Sequence, residues 1–317
     1  MAIKQCPTKL GVGINYHWDF SALILRNANI INFIEVSPDI LCEEIITRQQ
    51  RKLCFDNNKI EQLKFIASDF PVIVHGLGLS IGSASGWNQD YLSMLDSYAQ
   101  QQPFLWHSEH LGFTLAKNPD GGEDHAGLLL PLPFTREALD LLCPRIQHLC
   151  QRYTTPFLIE NTTCYLPDFI GNEWNEIEFL NQLLSNTDCG LLLDLYNFYC
   201  NAINFGFDPL AALMRLQLDR VIEIHIAGGV THEGFLLDVH SDLVPEPVWD
   251  MLESILPYTP NLCAITYELL EHALPLLGEE KIVAQLTRCQ ALWQHYCCAQ
   301  EKNHLNLQQM EPNYAAC

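Results

Sequence analysis

The chain has 317 residues, 48% of them hydrophobic and 17% charged, so it can bury a large core and is not broadly disordered. That length suits one large α/β barrel or two ordinary domains. The formal net charge of −21 repels phosphate backbones, which excludes a basic surface for nucleic acid and favours metal cations and basic or neutral peptides as partners.

The cysteines and the N-terminal residues indicate a reduced protein. The thirteen cysteines are odd in number and include no Cys-x-x-Cys pair, so we expect free, mostly buried thiols. Residues 1–7 show no apolar signal core, and no apolar stretch is long enough to span a membrane. We therefore expect a cytoplasmic protein that binds neither membranes nor nucleic acid.

Eight short apolar runs predict β-strands, because each is bounded by turn or helix signals. Several are almost continuously apolar, as is typical of parallel strands covered on both faces. In chain order the predicted strands are residues 10–16, 31–36, 71–75, 104–110, 156–160, 190–194, 220–225 and 262–268.

Helical patterns fill the gaps between these runs. Thr135 is a capping residue at the start of one helix, and Pro144 is expected to bend or break that helix. Asp208 followed by Pro209 predicts a cap with proline in the first helical turn. Further helices are predicted over residues 176–184, 247–256 and 281–296.

Strands that alternate with helices predict an α/β fold, a (β/α)8 barrel in one domain over residues 1–300. Residues 301–317 are polar and sparse in apolar periodicity, which predicts a flexible C-terminal tail. Residues 117–127 follow the fourth strand and are predicted to form a long loop, at the end of the barrel where such enzymes build their active sites.

Metal-binding side chains stand at the downstream ends of the predicted strands. A buried apolar run is a poor place for a carboxylate or an imidazole unless something pairs with it. Because the downstream ends of barrel strands meet on one face, we expect these side chains to converge. They are His75, Glu109 or His110, Glu160, Asp194, His225 and Glu268.

Two short motifs enlarge this set. Asp238 and His240 are two residues apart, so both side chains point the same way in an extended segment. Asp194 and Asn197 are three apart, and a turn leaving the strand can fold both onto one centre. These donors exceed what a single ion uses, which predicts a polynuclear site of non-haem iron, manganese or zinc with bridging carboxylates.

Each of these residues also has a purely structural interpretation. A lone histidine at a strand end is commonly a hydrogen-bonded core or loop residue, and a strand-end carboxylate commonly caps the next helix. The same placement on six strands favours the metal site over these interpretations.

Several segments, taken in their order, resemble the domain of unknown function 692 family, which comprises multinuclear non-haem iron-dependent oxidative enzymes. The resemblance covers residues 10–290 approximately. The segments that carry it are His75-Gly-Leu-Gly-Leu-Ser-Ile-Gly-Ser83, Ser108-Glu-His-Leu111, Leu129-Leu-Pro-Leu-Pro-Phe134, Glu160-Asn161, Leu191-Leu-Leu-Asp-Leu-Tyr-Asn197, Ile224-His-Ile-Ala-Gly228 and Asp238-Val-His240.

The same order of donors is similar to the wider xylose isomerase-like barrels, including the endonuclease IV group, which binds three zinc ions. Asn197 stands where those repair enzymes carry a histidine, which favours the iron family. The resemblance implies catalytic roles for Glu160, Asp238 and His240, and leaves Glu109, His107 and His17 as further candidate ligands. The implied metal ligands are His75, His110, Glu160, Asp194, Asn197, His225, Asp238, His240 and Glu268.

The resemblance also implies an activity. Two or three iron ions, in a mixture of Fe(II) and Fe(III), and dioxygen as co-substrate would modify a ribosomally synthesised precursor peptide, at cysteine. A partner protein that binds the leader peptide is implied as well. The alternative is a metal-dependent hydrolase or isomerase of the xylose isomerase or endonuclease IV-like barrel class.

Three positions beside the proposed ligands depart from the family pattern. Tyr196 stands where the family commonly has Asn, and Gly229 stands where a second His often follows. Leu269 and Leu270 replace a Trp-Asp pair after the last-strand glutamate. These departures bear on the substrate and the reaction, because none of them removes a proposed ligand.

Overall fold

The computed structural model describes residues 8–46, 51–118, 120, 123–166 and 171–310. Eight parallel strands form a closed barrel in which successive barrel strands pair and the last one pairs with the first. The predicted (β/α)8 barrel and its eight strands are confirmed. Numbered along the whole chain, they are β1 (Gly11–Asn15), β2 (Phe33–Val36), β5 (Val72–Gly76), β6 (His107–His110), β9 (Phe157–Glu160), β10 (Gly190–Asp194), β11 (Val221–Ile226) and β14 (Ala264–Tyr267).

Three antiparallel hairpins stand on the connections between barrel strands and helices. They pair β3 (Cys42–Ile46) with β4 (Arg51–Phe55), β7 (Phe113–Lys117) with β8 (Glu123–Leu130), and β12 (Val230–His232) with β13 (Phe235–Leu237).

The long loop predicted over residues 117–127 is wrong in part. Lys117 pairs with Glu123 and Leu115 with His125, so most of this segment belongs to the β7–β8 hairpin. The Asn-Pro-Asp-Gly-Gly run near its centre has strong turn composition, which favoured a loop over the strands on either side.

Ten helices surround the barrel in the part of the chain that the structure describes. Thr135 accepts a hydrogen bond from the Ala138 amide, as predicted for a cap, but the helix that it starts does not end at Pro144. Its apolar face is buried on both sides of the proline, which keeps the helix in place. The helices are α1 (Ser21–Arg26), α2 (Asn57–Ala67), α3 (Gln89–Gln101), α4 (Arg136–Arg152), α5 (Glu176–Asn186), α6 (Leu195–Phe205), α7 (Pro209–Leu213), α8 (Glu246–Ile255), α9 (Ala273–Leu277) and α10 (Glu279–Met310).

The last helix, α10, continues ten residues into the segment for which we predicted a flexible tail. Residues 311–317 lie outside the described residues, so the tail stays a prediction. Among the described helices, none combines the length and the apolar character needed to cross a membrane.

The barrel interior is filled at its upstream end by an apolar plug, a separate cluster of fully buried side chains. Because side chains alternate along a strand, the inward positions two residues downstream of this plug lie in the next layer of the barrel. The plug consists of Phe33, Ile73, Trp106, Leu158, Leu192, Ile222, Cys263 and Ala264.

Candidate metal centre

Polar side chains occupy the layer directly above the apolar plug. Glu35 follows Phe33 by two positions, His75 follows Ile73, and Glu160 follows Leu158, so the alternation of each strand turns these side chains inward. The pairing of β10 with β11 shifts register between Leu191 and Leu192. The two polar residues of β11, Glu223 and His225, follow this shift. The sequence of the barrel therefore builds a polar centre at its downstream end.

The first ligand group joins β5, β6 and β9. The Nε2 atoms of His75 and His110 lie 3.4 and 3.0 Å from the same oxygen, Oε2 of Glu160. The His75 and Glu160 side chains are buried, and the His110 side chain is 19% exposed. One carboxylate oxygen and two imidazole nitrogens thus face a common point.

Backbone and hydroxyl groups set the tautomers of both imidazoles. The Ser108 hydroxyl donates to the Val74 carbonyl, so it accepts from Nδ1 of His75, at 3.0 Å. Nδ1 of His110 lies 3.1 Å from the Gly76 carbonyl oxygen, which can only accept. Both rings therefore carry their proton on Nδ1, and both Nε2 atoms present a lone pair towards the Glu160 carboxylate.

The second ligand group surrounds His225 on β11. Its Nδ1 atom lies 2.9 Å from Oε2 of Glu268, 3.7 Å from Oε1 of Glu160 and 3.9 Å from Oδ2 of Asp194. Glu160 therefore presents one oxygen to each ligand group, as a bridging carboxylate requires. The donor atoms of these four residues all lie within 4.8 Å of one another.

Asp238 and His240 extend this centre towards the barrel mouth. Nε2 of His240 lies 2.5 Å from Oδ1 of Asp238, and its Nδ1 lies 3.4 Å from Oε1 of Glu268. The His240 side chain is 13% exposed and the Asp238 side chain 19%, so this pair reaches the solvent side. His240 has a φ of +42°, an uncommon value for a residue with a Cβ, and its carbonyl accepts from the Leu270 amide.

Asp194 caps a helix with one carboxylate oxygen and leaves the other free to bind a metal, so both interpretations of this residue hold together. Its Oδ1 atom caps helix α6 by accepting from the Asn197 amide at 2.6 Å, while its Oδ2 atom has no hydrogen-bond partner among the described residues. The Asn197 side chain donates to the Asn161 carbonyl and accepts from the Thr163 hydroxyl at 2.5 Å. The role of Asn197 as a ligand stays a prediction, because both ends of its amide already have partners.

The three further candidate ligands lie apart from these groups. His107 and Glu109 alternate with Ser108 and His110 on β6, so they point out of the barrel, where their side chains contact each other at 2.8 Å. The Glu109 carboxylate also accepts from the Tyr91 hydroxyl at 2.8 Å. His17 caps a short 3-10 helix by accepting from the Asp19 amide.

Two carboxylates that the sequence analysis missed, those of Glu35 and Glu223, lie on the Nε2 side of His225. Oε2 of Glu35 lies 2.9 Å from Nε2 of His225, and Oε1 of Glu223 lies 3.5 Å from the same atom. Glu223 also accepts from the Trp106 indole and the Thr266 hydroxyl. The sequence did contain a signal for them, because each is a glutamate inside an otherwise apolar strand. Glu223 also stands two positions before the candidate ligand His225.

The buried acids and bases perturb one another strongly. Burial raises the pKa of Glu160 well above its ordinary range and that of Asp194 to about 7, whereas burial lowers the pKa of His75 well below its usual value. Burial alone would lower the pKa of His225, but Glu35 and Glu268 hold it well above the usual value. A cation at this centre would relieve the repulsion among the carboxylates.

A sequence model of one protein family matches residues 11–294, and its description is "RiPP precursor modification enzyme MbnB/TglH/ChrH". A UPF0276 protein of Neisseria meningitidis serogroup C is 35% identical over 254 residues, which are 79% of this chain and 84% of the relative. A UPF0276 protein of Caulobacter vibrioides is 37% identical over 185 residues, 58% of this chain, and the match spans 64% of that relative's length.

Solved structures with the same fold are more distant in sequence. Endonuclease IV from Thermus thermophilus superposes with a TM-score of 0.54 at 15% identity, covering 90% of this chain and 99% of the other. A xylose isomerase domain protein from Planctomyces limnophilus gives a TM-score of 0.54 at 10% identity, with coverages of 92% and 99%. At this identity the likeness shows the barrel fold and nothing about activity.

Proposed function

The chain belongs to the RiPP precursor modification enzyme MbnB/TglH/ChrH family, and from this premise we propose that it is a multinuclear iron enzyme that uses dioxygen to oxidise a ribosomally synthesised precursor peptide at cysteine. We place it in the cytoplasm, with a partner protein that binds the leader peptide. The family supplies the class of substrate, and the arrangement of donor atoms supports the metal.

The observation that carries the proposal is the pair of imidazole lone pairs, from His75 and His110, that face the Glu160 carboxylate. The Nε2 atoms of His75 and His110 have their protons on the far side of each ring, yet they face a carboxylate oxygen at 3.4 and 3.0 Å. His75 Nε2, Glu160 Oε2 and Asp194 Oδ2 are buried without a hydrogen-bond partner among the described residues. Acceptor atoms that converge in this way fit a cation, because buried polar groups otherwise find a hydrogen bond.

The donor set fits iron. Imidazole and carboxylate ligands in a mixed set suit non-haem iron, and thiolate pairs are absent from the residues that converge here. We propose that nine residues hold the ions: His75, His110, Glu160, Asp194, Asn197, His225, Asp238, His240 and Glu268. Two or three iron ions bound there would supply the activation of dioxygen and the acceptance of electrons from the peptide.

The residues of the chain prepare this chemistry. Glu160 and Glu268 each present their two oxygens to different histidines, so each carboxylate would help to hold neighbouring ions. Asp238 and His240 line the exposed side of the centre, where a peptide arrives from solvent. A substrate thiol would lose its proton on binding there, because a thiolate is the form that binds metals.

The test compares ligand variants with a matched control. Glu160→Ala and His240→Ala should both lose iron and lose dioxygen uptake with a short cysteine-bearing precursor peptide. Glu109→Gln should keep both, because Glu109 points out of the barrel and glutamine still accepts from Tyr91. Metal analysis after anaerobic purification and an oxygen electrode give the two readouts. Full iron content and turnover in both alanine variants would contradict the assignment of Glu160 and His240 as metal ligands.

A further inference from the structure

Exposed apolar side chains concentrate beside the metal centre. Of the 17 large hydrophobic residues that stand exposed in the described part of the chain, nine lie within residues 165–166, 203–214 and 230–235. Phe205 and Phe207 are 41% and 38% exposed, and Leu166 is 44% exposed. A concentration of this kind marks an interaction surface rather than a random scatter of surface residues.

Hydrogen bonds join the three segments into one surface. Asn204 at the end of α6 accepts from the Leu236 amide at 2.8 Å and donates to the Leu236 carbonyl at 3.0 Å. Asn201, one turn earlier, accepts from the Cys164 amide at 2.8 Å. We call this surface the apolar rim, defined by Tyr165, Leu166, Phe205, Phe207, Val230 and Phe235.

The apolar rim is continuous with the metal centre. The Tyr165 hydroxyl accepts from the amide of Asp238, one of the proposed ligands, at 2.8 Å. Anything that lies across the rim at Tyr165 therefore lies next to Asp238 and His240, the exposed side of the centre.

A cavity opens under the rim. Its volume is about 400 Å³, within the size range of ligand pockets, about 300–1,000 Å³. Leu166, Phe205, Phe207 and Trp174 line it. Asn161, which also lines it, exchanges hydrogen bonds with the backbone of Asp194, so one residue separates the cavity from the second ligand group.

The electrostatics of the cavity restrict its occupant. The carboxylates of Glu173 and Glu176 line it together with the aromatic side chains. Burial raises the pKa of Glu176 to about 7, and its Oε2 accepts from the Asn201 amide group. An acidic segment would be repelled here, whereas an apolar or aromatic side chain from a neutral or basic segment matches both the walls and the charge.

We propose that the apolar rim binds the peptide substrate itself, with a bulky apolar or aromatic side chain of the peptide seated in the cavity. This anchor places the neighbouring peptide residues at Asp238 and His240, so the rim selects which residue of the peptide reaches the metal centre. The identification of the occupant as a peptide substrate rests on the proposed function.

The test is a selection of a random dodecapeptide display library on the iron-loaded protein kept without oxygen. Selected peptides should be enriched in a bulky apolar or aromatic residue and depleted in acidic ones. Fluorescence anisotropy with a labelled selected peptide should then show a loss of affinity of roughly tenfold or more in Phe205→Ser/Phe207→Ser, the effect of losing a buried apolar contact. Leu166→Ser is the second variant if the double variant fails to fold.

A matched control removes an exposed phenylalanine elsewhere. Phe65 on α2 is 64% exposed, and Phe65→Ser should leave both peptide affinity and iron content unchanged. Absence of apolar enrichment, or unchanged affinity in the rim variants, would overturn the proposal. A dimer of the wild type that becomes a monomer in the rim variants would also overturn it, because a second copy would then be the occupant.

The readouts keep this proposal separate from the proposed function. Peptide binding is measured without oxygen and without turnover. Rim-dependent binding by a protein that never consumes dioxygen would refute the oxidative function alone, and dioxygen uptake with rim-independent binding would refute the rim alone.

Discussion

At the scale of single residues, the proposed metal centre depends on neighbouring groups that set the tautomers of its imidazoles. Ser108 and the Gly76 carbonyl oxygen do this for His75 and His110, and Glu35 does it for His225. Such partners orient a ligand and raise its basicity, so they affect metal affinity without touching the metal. Glu35 is the clearest case, because its carboxylate contacts Nε2 while Nδ1 faces the other carboxylates.

Replacing Glu35 tests this division of roles. Glu35→Gln removes the charge beside Nε2 of His225 but keeps a hydrogen-bond acceptor there. We expect metal affinity to fall by roughly 10- to 100-fold with the number of bound ions unchanged. Competition with a chelator gives the affinity, and elemental analysis gives the count. If one whole ion is lost instead, Glu35 and Glu223 are ligands with His225, an arrangement that the distances among them also permit.

At the scale of elements, helix α6 holds the β12–β13 hairpin, which leads directly into two proposed ligands, Asp238 and His240. Asn204 pairs with both backbone groups of Leu236, and the Tyr196 hydroxyl donates to the Leu237 carbonyl at 3.2 Å. Asp238 follows directly. The position of Asp238 and His240 therefore depends on contacts made several residues away from the metal centre.

Asn204→Ala should release this hairpin. The loss of two hydrogen bonds is expected to lower the free energy of unfolding by about 1–3 kcal/mol and to lower metal content at the Asp238–His240 side. Asn186→Ala is the matched control, since the Asn186 side chain bonds the Gln182 carbonyl within α5, away from the centre. Urea unfolding and metal analysis measure the two effects. Equal behaviour of both variants would show that the hairpin does not need Asn204.

Two departures from the family pattern, Tyr196 and Gly229, are coupled by packing. A Cβ atom on Gly229 would lie 2.2 Å from the Leu237 carbonyl oxygen and 2.6 Å from the Tyr196 hydroxyl oxygen. A histidine at position 229 therefore does not fit beside Tyr196 unless the β12–β13 hairpin moves.

Gly229→Ala measures the cost of that packing. The added methyl group must displace the hairpin backbone, so we expect a loss of about 1–3 kcal/mol in the free energy of unfolding, as for overpacking in a core. Tyr196→Phe/Gly229→Ala should not restore stability, because the contact with Leu237 remains. Full stability of Gly229→Ala in urea would mean that the hairpin is free to shift.

Sequence patterns predicted the elements of the barrel because each strand is a short apolar run bounded by turns. The same patterns missed the β7–β8 hairpin, because a run of strong turn residues lies between its two strands. They also missed Glu35 and Glu223, because these lie inside apolar strands such as Phe33-Ile34-Glu35-Val36 instead of at the ends. The strand ends alone left His110 and Glu109 as alternatives, and the resemblance favoured His110. The register of β6 turns the His110 side chain inward.

At the scale of the whole molecule, the barrel brings side chains from the entire length of the chain to one centre. Glu35 and His225 are 190 positions apart in sequence and 2.9 Å apart in space. Convergence followed from the predicted topology, but spacing alone left iron, manganese and zinc open, since all three accept imidazole and carboxylate. The choice of iron rests on the family.

The most direct test of the account is the metal content of the wild-type protein purified without oxygen after growth with iron and zinc both available. We predict two or three iron ions per chain, with a Mössbauer spectrum that shows coupled Fe(II) and Fe(III), and dioxygen uptake that requires the cysteine-bearing precursor. Zinc in place of iron, with no dioxygen uptake after iron loading, would contradict the account and favour a hydrolase or isomerase on the same barrel.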